Sequence, residues 1–376
     1  MFDFQEIRQK DLQVIQQIKA KQQRLVLWRT ISFIAMVFAF AAGWDGHSFG
    51  VPSGLLLLVS FIILVRRHHR LTFLRLLQES HLNCTQDFLD CTSGKWRERR
   101  DDGSDLFHKD RPQELDLPIF GPASLYQYLN TTRTKAGRRR LSDLLSPYPE
   151  APDIMRERQQ AVKELSQHTG KSLDLLALSH LFPKKADWSD FCTMIEHMDK
   201  MGRSSGTFWR VLSFVLPCLS CLSLIFACLG QLDAAIPGLL FSLQLLLTFL
   251  LLGRPQALLT PLGAVPQEFA ICEKIFALLE KAAFQSNRLQ ELQKILRDGR
   301  ASENLHQLAS LADKAAMRRN VFFFLVANTL CLWDFHISAA FSRWQKASGQ
   351  NLRHFLTVLA EYEALLSLTT PALTRK

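Results

Sequence analysis

The densest group of side chains that could do chemistry is a run of cations between residues 133 and 140. It consists of Arg133, Lys135, Arg138, Arg139 and Arg140. Clustered guanidinium and ammonium groups bind phosphate, whether in nucleic acid or in lipid head groups. No aromatic residue lies between positions 129 and 147, so the stacking platforms of single-strand binding sites are missing there. The five cations are therefore a candidate polyanion contact, and the alternative is a solvated helix face with a structural arginine.

Other patterns that resemble functional motifs lack a required partner. The only Gly-Lys-Ser, at residues 170–172, has Leu165 where a phosphate-binding loop needs glycine. Cys218 and Cys221 have the spacing of a metal or redox pair, but no second pair lies at ligand spacing. Three histidines likewise lack a matching ligand set: His68, His69 and His81. Because no Ser/His/Asp, Cys/His or paired-carboxylate arrangement is recognisable either, we expect no catalytic residue, metal site or cofactor site.

Four long apolar stretches dominate the elements around these residues. They occur as two pairs, at residues 25–44 with 49–65 and at 211–230 with 234–253. A bilayer core about 30 Å thick needs about 20 mostly apolar residues in a helix. The second pair contains no Asp, Glu, Lys, Arg or His. We expect two transmembrane helical hairpins, and two buried hairpins of a soluble domain are the alternative.

The positive charges flank these pairs and avoid the turns within them. Lysine and arginine precede residue 25, follow residue 65 and precede residue 211, whereas the turns at 45–50 and 231–233 contain neither. Such cations are enriched on the cytoplasmic side of membrane helices. The pattern predicts a multi-pass protein of the inner or plasma membrane with both termini in the cytoplasm. A net charge of +10 agrees with contact to anionic lipid.

The remaining segments have helical periodicity, so the chain is predicted to be all-α. Thr134 precedes a predicted helix over residues 135–145, and Asp153 is expected to cap the next helix. Residues 266–298 form one long amphipathic pattern. A fifth apolar run, from Val321 to Trp333, has only 13 residues and is predicted to be a buried helix of the soluble part. The predicted segments are an N-terminal cytosolic helix (1–24), the first hairpin (25–65), a helix and charged joint (66–114), the first half of a soluble bundle (115–208), the second hairpin (209–253) and the second half of the bundle (254–376).

Two neighbouring segments, residues 116–125 and 129–141, resemble the start of the core, or lever, domain of the MutS family. The family reads approximately T-x-T-x-x-G-x-R-x-L in the second segment. The positions that match this pattern are Thr132, Thr134, Gly137, Arg139 and Leu141. The register continues through Pro147, Ile154, Arg158, Gln159, Val162 and Leu165, and residues 333–334, 344 and 360–365 resemble the last lever helices. The resemblance covers roughly residues 85–165 and 256–370, and it is closest to a branch of the family that carries membrane segments.

This resemblance implies a helical lever whose two halves are separated by the second hairpin. That hairpin falls where soluble MutS proteins insert a DNA clamp. In the family a P-loop ATPase follows the lever, and this sequence ends at Lys376 near that point. ATP and magnesium are therefore expected only with a separately supplied ATPase domain. Phe4-Gln5-Glu6 matches the letters of the family's mismatch-reading motif, but it lies in a predicted helix that leads into the membrane.

These observations favour a membrane-anchored scaffolding or lever module that is not itself an enzyme. The partners they imply are the lipid bilayer together with DNA, a second copy of the chain or a separately encoded ATPase. Two alternatives stay open, a membrane-associated DNA-binding protein of mismatch-repair type and a small channel or transporter. Arg29 and Gln244 are the only charged or amide side chains in the four long apolar stretches, whereas transport pathways usually carry several such groups.

Overall fold

The computed structural model describes residues 4–44, 49–107, 116–146, 151–201, 207–250 and 253–374. Within these ranges the backbone is helical and contains no strand, apart from an isolated parallel bridge between Thr134 and Ala186. The predicted all-α class is therefore confirmed. Residues 45–48 of the predicted turn, residues 108–114 at the end of the predicted helix and charged joint, and Pro147 lie outside the described residues.

The described residues form a series of α-helices. Numbered in chain order, they are α1 (Phe4–Trp44), α2 (Gly50–Ser93), α3 (Leu125–Leu129), α4 (Lys135–Leu145), α5 (Pro152–Gln167), α6 (Thr169–Ser179), α7 (Ser189–Met201), α8 (Thr207–Cys228), α9 (Ala235–Leu250), α10 (Gly253–Leu262), α11 (Pro266–Lys281), α12 (Asn287–Asp298), α13 (Ala301–Ala316), α14 (Val321–Cys331), α15 (Trp333–Trp344), α16 (Gln350–Leu368) and α17 (Thr370–Thr374). A π-helical turn, Gln345–Gly349, joins α15 to α16.

The chain divides into two compact units. The first contains residues 1–133, 141–183 and 363–376, and the second contains residues 134–140 and 184–362. This division does not follow the order of the segments predicted from the sequence, because each unit combines residues from distant parts of the chain.

Helices α1 and α2 form a long antiparallel hairpin in the first unit. Residues later in α1 contact residues earlier in α2, as expected for antiparallel helices. The Phe4 and Phe88 rings stack at 5.5 Å, Asp11 Oδ2 lies 2.7 Å from His81 Nδ1, and the Phe33 and Phe61 rings are 5.7 Å apart. With 41 and 44 residues, the helices are each about 60 Å long at 1.5 Å per residue. The predicted N-terminal helix and first apolar stretch are thus one continuous helix. A Cβ atom at Gly50 would lie 2.2 Å from the Gly43 nitrogen, so glycine is needed where the two helices meet.

Short helices with well-placed caps complete the first unit. Ser124 caps α3 by accepting a hydrogen bond from the Gln127 N–H. Tyr126, Leu141 and Ala364 form a fully buried apolar cluster. The expectation that Asp153 caps α5 is wrong, because Pro152 begins this helix and Asp153 lies in its first turn. Proline suits that first position because it has no N–H to leave unpaired.

The bundle helices of the second unit, α11–α13 and α16, enclose an apolar core. Phe269, Phe276, Leu305, Leu308 and Phe355 are all buried there. The pattern over residues 266–298 is split into α11 and α12. The side-chain amide of Gln293, in α12, donates to the backbone carbonyl oxygens of Leu279 at 2.6 Å and Ala282 at 2.7 Å. These bonds satisfy backbone acceptors at the end of α11, where no helical partner remains.

Helix α14 contradicts the prediction of a buried soluble helix over 321–333. Its large apolar side chains are exposed, with Phe322 at 82% and Val326 at 56%, and its buried residues are Ala327 and Asn328. It packs against α8 and α9 instead of entering the apolar core. The helix ends at Leu332, whose left-handed φ of 45° allows an 83° bend into α15. A short apolar run alone could not distinguish these two environments.

Two helices among the described residues are long and apolar enough to cross a membrane. They are the α1 segment Phe4–Gly43 and the α8 segment Val211–Cys228. Helix α9 is apolar but shorter, and α14 with the bent helical segment after it makes a third candidate if the two are counted together. By length and composition, the chain is therefore a membrane protein.

Candidate functional site

The surface formed by α8, α9 and α14 has its apolar side chains outside and its polar ones inside. Exposed large apolar residues of α8 and α9 include Val211, Phe214, Val215, Leu219, Leu222, Ile225, Ile236, Leu239, Leu246, Phe249 and Leu250. The buried polar residues of these two helices are Ser213, Ser220, Ser223, Gln244 and Thr248. In water this arrangement exposes apolar surface with no compensation, whereas lipid favours it and helix pairs in lipid use small and polar residues at their contacts.

Gln244 is the central polar link between α8 and α9. It is fully buried, and its side-chain amide donates to the Leu216 carbonyl at 3.2 Å and to the Ser220 hydroxyl. The Ser220 hydroxyl donates to the Leu216 carbonyl at 2.9 Å, and the Thr248 hydroxyl donates to the Gln244 carbonyl at 2.9 Å. Hydroxyls that bond to their own helix are satisfied without water. The contact between the two helices is thus closed to solvent and hydrogen-bonded through the Gln244 Nε2 atom, while Gln244 Oε1 is buried there without a partner among the described residues.

A second set of polar contacts holds both ends of α14. Asn320 caps its start, and the fully buried Asn328 accepts a hydrogen bond from the Asp334 N–H at 3.0 Å. The carboxylate of Asp334 pairs with Arg318 at 2.9 Å. Asp334 therefore has a structural role through both its backbone and its side chain. Both connections of α14 are held by these contacts, which leaves its apolar face outward.

Arg133, the first cation of the basic cluster, belongs to the first unit and faces other side chains there. Its Nη2 atom lies 3.1 Å from His180 Nε2, and the Asp87 carboxylate is 4.0 Å from both groups. Its backbone N–H donates to the Glu363 carboxylate at 3.3 Å. The guanidinium is thus held against partners of its own unit.

The other four cations belong to the second unit and differ in their surroundings. Lys135 is exposed and pairs with Asp187 at 2.8 Å. Arg138 is only 4% exposed, and Arg140 pairs with Glu361. Arg139 is exposed and makes no ion pair with any described residue. Of the five predicted contact residues, Arg139 is therefore the one whose charge is available to a polyanion without breaking a described pair.

Glu361 is the acidic centre of the cluster. It is 6% exposed, and Arg288 pairs with it at 3.1 Å in addition to Arg140. Burial acts to raise the pKa of Glu361, but the hydrogen bonds and charges of Arg140 and Arg288 outweigh it and lower the pKa. At the surface, hydrogen bonds from Lys135 and Ser189 lower the pKa of Asp187 to about 2. Both carboxylates therefore stay ionised at neutral pH and hold their cations in place.

Residues of the other motifs considered from the sequence make structural contacts. Residues 170–172 lie in the first turn of α6, where the Ser172 hydroxyl donates to the Leu165 carbonyl at 2.7 Å. Phe4 packs on Phe88, and His81 pairs with Asp11. Across the described residues, no group of three or more His, Cys, Asp and Glu side chains is placed to hold a metal ion.

Sequence reasoning missed the acidic partners of the basic cluster. Asp87, Asp187 and Glu361 lie 46, 52 and 221 positions from the cations they face. Nothing in the local spacing indicates such pairs. The one available signal was the helical register of Glu361, which follows the apolar stripe of α16 and predicts burial.

Comparison with known proteins gives no relative for this chain. No protein-family model, no curated protein and no solved structure matches it.

Proposed function

We propose that the chain is a multi-pass membrane protein whose helical bundle works as a structural, lever-like module at the cytoplasmic face. The observation that carries this proposal is the reversal of polarity between its helices. In α8, α9 and α14 most large apolar side chains face outward and most polar ones face inward, whereas α11–α13 and α16 bury most of their apolar side chains. Lipid around the first group and water around the second account for both patterns.

The proposed topology has two transmembrane hairpins, α1 with α2 and α8 with α9. The membrane is the plasma or inner membrane, and both termini lie in the cytoplasm. The distribution of lysine and arginine around the apolar stretches supports it. The cytoplasmic halves of α1 and α2 support it too, because they carry ion pairs such as Lys10–Glu6 and Lys19–Glu79.

The lever role rests on the resemblance of residues 116–165 to the MutS core domain and on the way distant segments are joined. Glu361 joins α4 to α12 and α16 through Arg140 and Arg288. Such buried links resist bending of a helical bundle, which a lever requires. The partner of a lever supplies the driving force, and a separately encoded ATPase or a second copy of the chain would fill that role.

Site-directed labelling tests the proposed topology. In a background with the exposed cysteines replaced by alanine, Gln231→Cys lies in the α8–α9 turn and Lys294→Cys on the bundle helix α12. We expect a membrane-impermeant maleimide to label position 231 in intact cells and position 294 only after the membrane is opened. Labelling of both positions in intact cells, or of neither, contradicts the proposal.

A pair of matched variants shows whether the outward apolar face drives insertion. Leu222→Asp with Ile225→Asp places charges on the outward face of α8 and is expected to abolish labelling at Gln231→Cys in intact cells. Leu278→Asp with Ile295→Asp changes equally exposed apolar residues of the bundle and is expected to leave that labelling unchanged. Equal effects of the two double variants contradict the proposed membrane surface.

A further inference from the structure

A groove of about 740 Å³ runs along the α1–α2 hairpin where its charged half meets its apolar half. One end is lined by the cationic and polar side chains of Lys19, Gln22, His68, Thr72 and Arg75. The other end is lined by Val26, Leu27 and Ile31, whose side chains are exposed. From Lys19 to Ile31 the groove follows α1 for about 18 Å at 1.5 Å per residue.

The polar end is built from side chains that hold one another in place. Arg75 donates to the side-chain Oε1 of Gln22 at 3.4 Å, and the Gln22 side-chain amide donates to the Thr72 hydroxyl at 3.0 Å. That hydroxyl donates to the backbone carbonyl of His68 at 3.0 Å. Gln22 is only 7% exposed. Two nitrogen atoms, Arg75 Nε and His68 Nδ1, are buried without a hydrogen-bond partner among the described residues. Buried polar nitrogen atoms of this kind normally have a hydrogen-bond partner.

The charge of the polar end favours an anion. Lys19 and Arg75 share one carboxylate, Glu79, at 3.8 and 3.6 Å, which leaves an excess of positive charge. Burial, and then the charges of Arg29, His69 and Arg75, lower the pKa of His68. The smaller, electrostatic part of this lowering comes from the cationic residues Arg29 and Arg75 and from His69, which lie around this end of the groove.

We propose that this groove binds an anionic phospholipid, with the phosphate at Lys19 and Arg75 and an acyl chain along Val26, Leu27 and Ile31. A soluble phosphate compound would use the cations but would leave the apolar end empty. Basic pockets between membrane helices on the cytoplasmic side have this chemistry. The inference rests on the proposed membrane placement of the hairpin, which sets the groove at the level of the lipid head groups.

The test uses the full chain in phosphatidylcholine nanodiscs with a fluorescent phosphatidylglycerol as the probe. Lys19→Gln with Arg75→Gln removes two charges from the groove. Arg67→Gln with Arg70→Gln removes two charges from exposed positions of α2 that do not line the groove. We expect about a ten-fold loss of probe affinity in the first variant and less than about three-fold in the second.

Two further measurements separate loss of lipid binding from loss of folding and from binding of phosphate alone. Lys19→Gln alone changes a half-exposed side chain that cannot unfold the hairpin, and it is expected to weaken the probe by a few fold. Glycerol phosphate at millimolar concentration is expected not to displace the probe. Equal losses in both double variants, or displacement by glycerol phosphate, overturn the proposal. Failure of the probe to bind a chain whose α8–α9 turn is labelled from outside overturns only this inference and leaves the membrane placement standing.

Discussion

Arg318 and Asp334 form a buried ion pair that joins the segment before α14 to the segment after it. Arg318 Nε lies 2.9 Å from Asp334 Oδ2, and the two side chains are 12% and 4% exposed. The guanidinium also lies over the Phe324 ring at 5.5 Å. The pair holds the chain at the bend that follows α14 and so keeps the apolar face of that helix outward.

Removal of one partner of this pair is expected to destabilise the protein strongly. Arg318→Ala or Asp334→Ala leaves a buried charge without its partner, which costs about 3 kcal/mol. The double variant Arg318→Met with Asp334→Leu is expected to recover most of that loss. Unfolding in detergent micelles, followed by circular dichroism, measures each value. Glu303→Ala, which breaks an exposed pair with Arg300, is the control and is expected to cost less than about 1 kcal/mol. If Asp334→Ala destabilises the protein no more than Glu303→Ala does, the buried ion pair does not have the proposed structural role.

Gln244→Leu is expected to weaken the contact between α8 and α9. The variant removes the donors to the Leu216 carbonyl and the Ser220 hydroxyl. Hydrogen bonds between membrane helices contribute about 1 kcal/mol, so we expect a loss of that size in unfolding by sodium dodecyl sulfate. Ser242→Ala removes an exposed hydroxyl that bonds only within α9, and it should have no measurable effect. A Gln244→Leu protein as stable as Ser242→Ala would show that the polar link is unimportant.

Glu361 is expected to make stability depend on acid pH. Its pKa is lower in the folded protein than the ordinary value of 4.5. The folded state therefore binds fewer protons than the unfolded state, and the contribution of Glu361 is fully present above that ordinary value. It is lost as the pH falls through the lowered pKa. Unfolding measured between pH 7 and pH 3 should show a smaller decrease in Glu361→Gln than in the unchanged protein, and identical decreases would contradict the ion-pair network.

The basic cluster gives opposite expectations for Arg139 and Arg140. Arg140→Ala should destabilise the second unit because it removes a partner of the buried Glu361. Arg139→Ala should change the free energy of unfolding by less than about 0.5 kcal/mol, because its side chain is exposed. Under the scaffold proposal, the full chain in nanodiscs should not bind duplex DNA at low salt. Binding that weakens with salt and with Arg139→Ala would support the DNA-binding alternative instead.

The sequence predicts those elements whose signals are local. The bounds of α4 agree with the prediction, because Thr134 accepts a hydrogen bond from the Gly137 N–H and so caps the helix. The continuous helix from the second apolar stretch to Ser93 also follows from uninterrupted helical periodicity. Both features depend on residues within one or two helical turns of each other, which is the range that spacing rules cover.

The features that the sequence did not predict depend on distant partners. Leu332 adopts a left-handed conformation without glycine, so no breaker in the sequence indicates the end of α14. The outward orientation of Val326 is set by contacts with α8 and α9, which lie 76 to 119 positions earlier. Glu361 is likewise recognisable as a partner of Arg140 only after folding brings α16 to α4. In each case tertiary contacts decide between local alternatives of similar energy.

Lipid accessibility at matched apolar positions tests the central claim most directly. Spin labels at Leu222 on α8 and at Val326 and Leu330 on α14 report the proposed membrane surface, while labels at Leu278 and Ile295 report the bundle. All five side chains are between 43% and 56% exposed, so exposure alone does not separate them. In nanodiscs we predict that the first three labels collide more with oxygen than with a water-soluble nickel chelate and that the last two show the reverse. Equal chelate accessibility at all five positions would contradict the membrane placement of these helices.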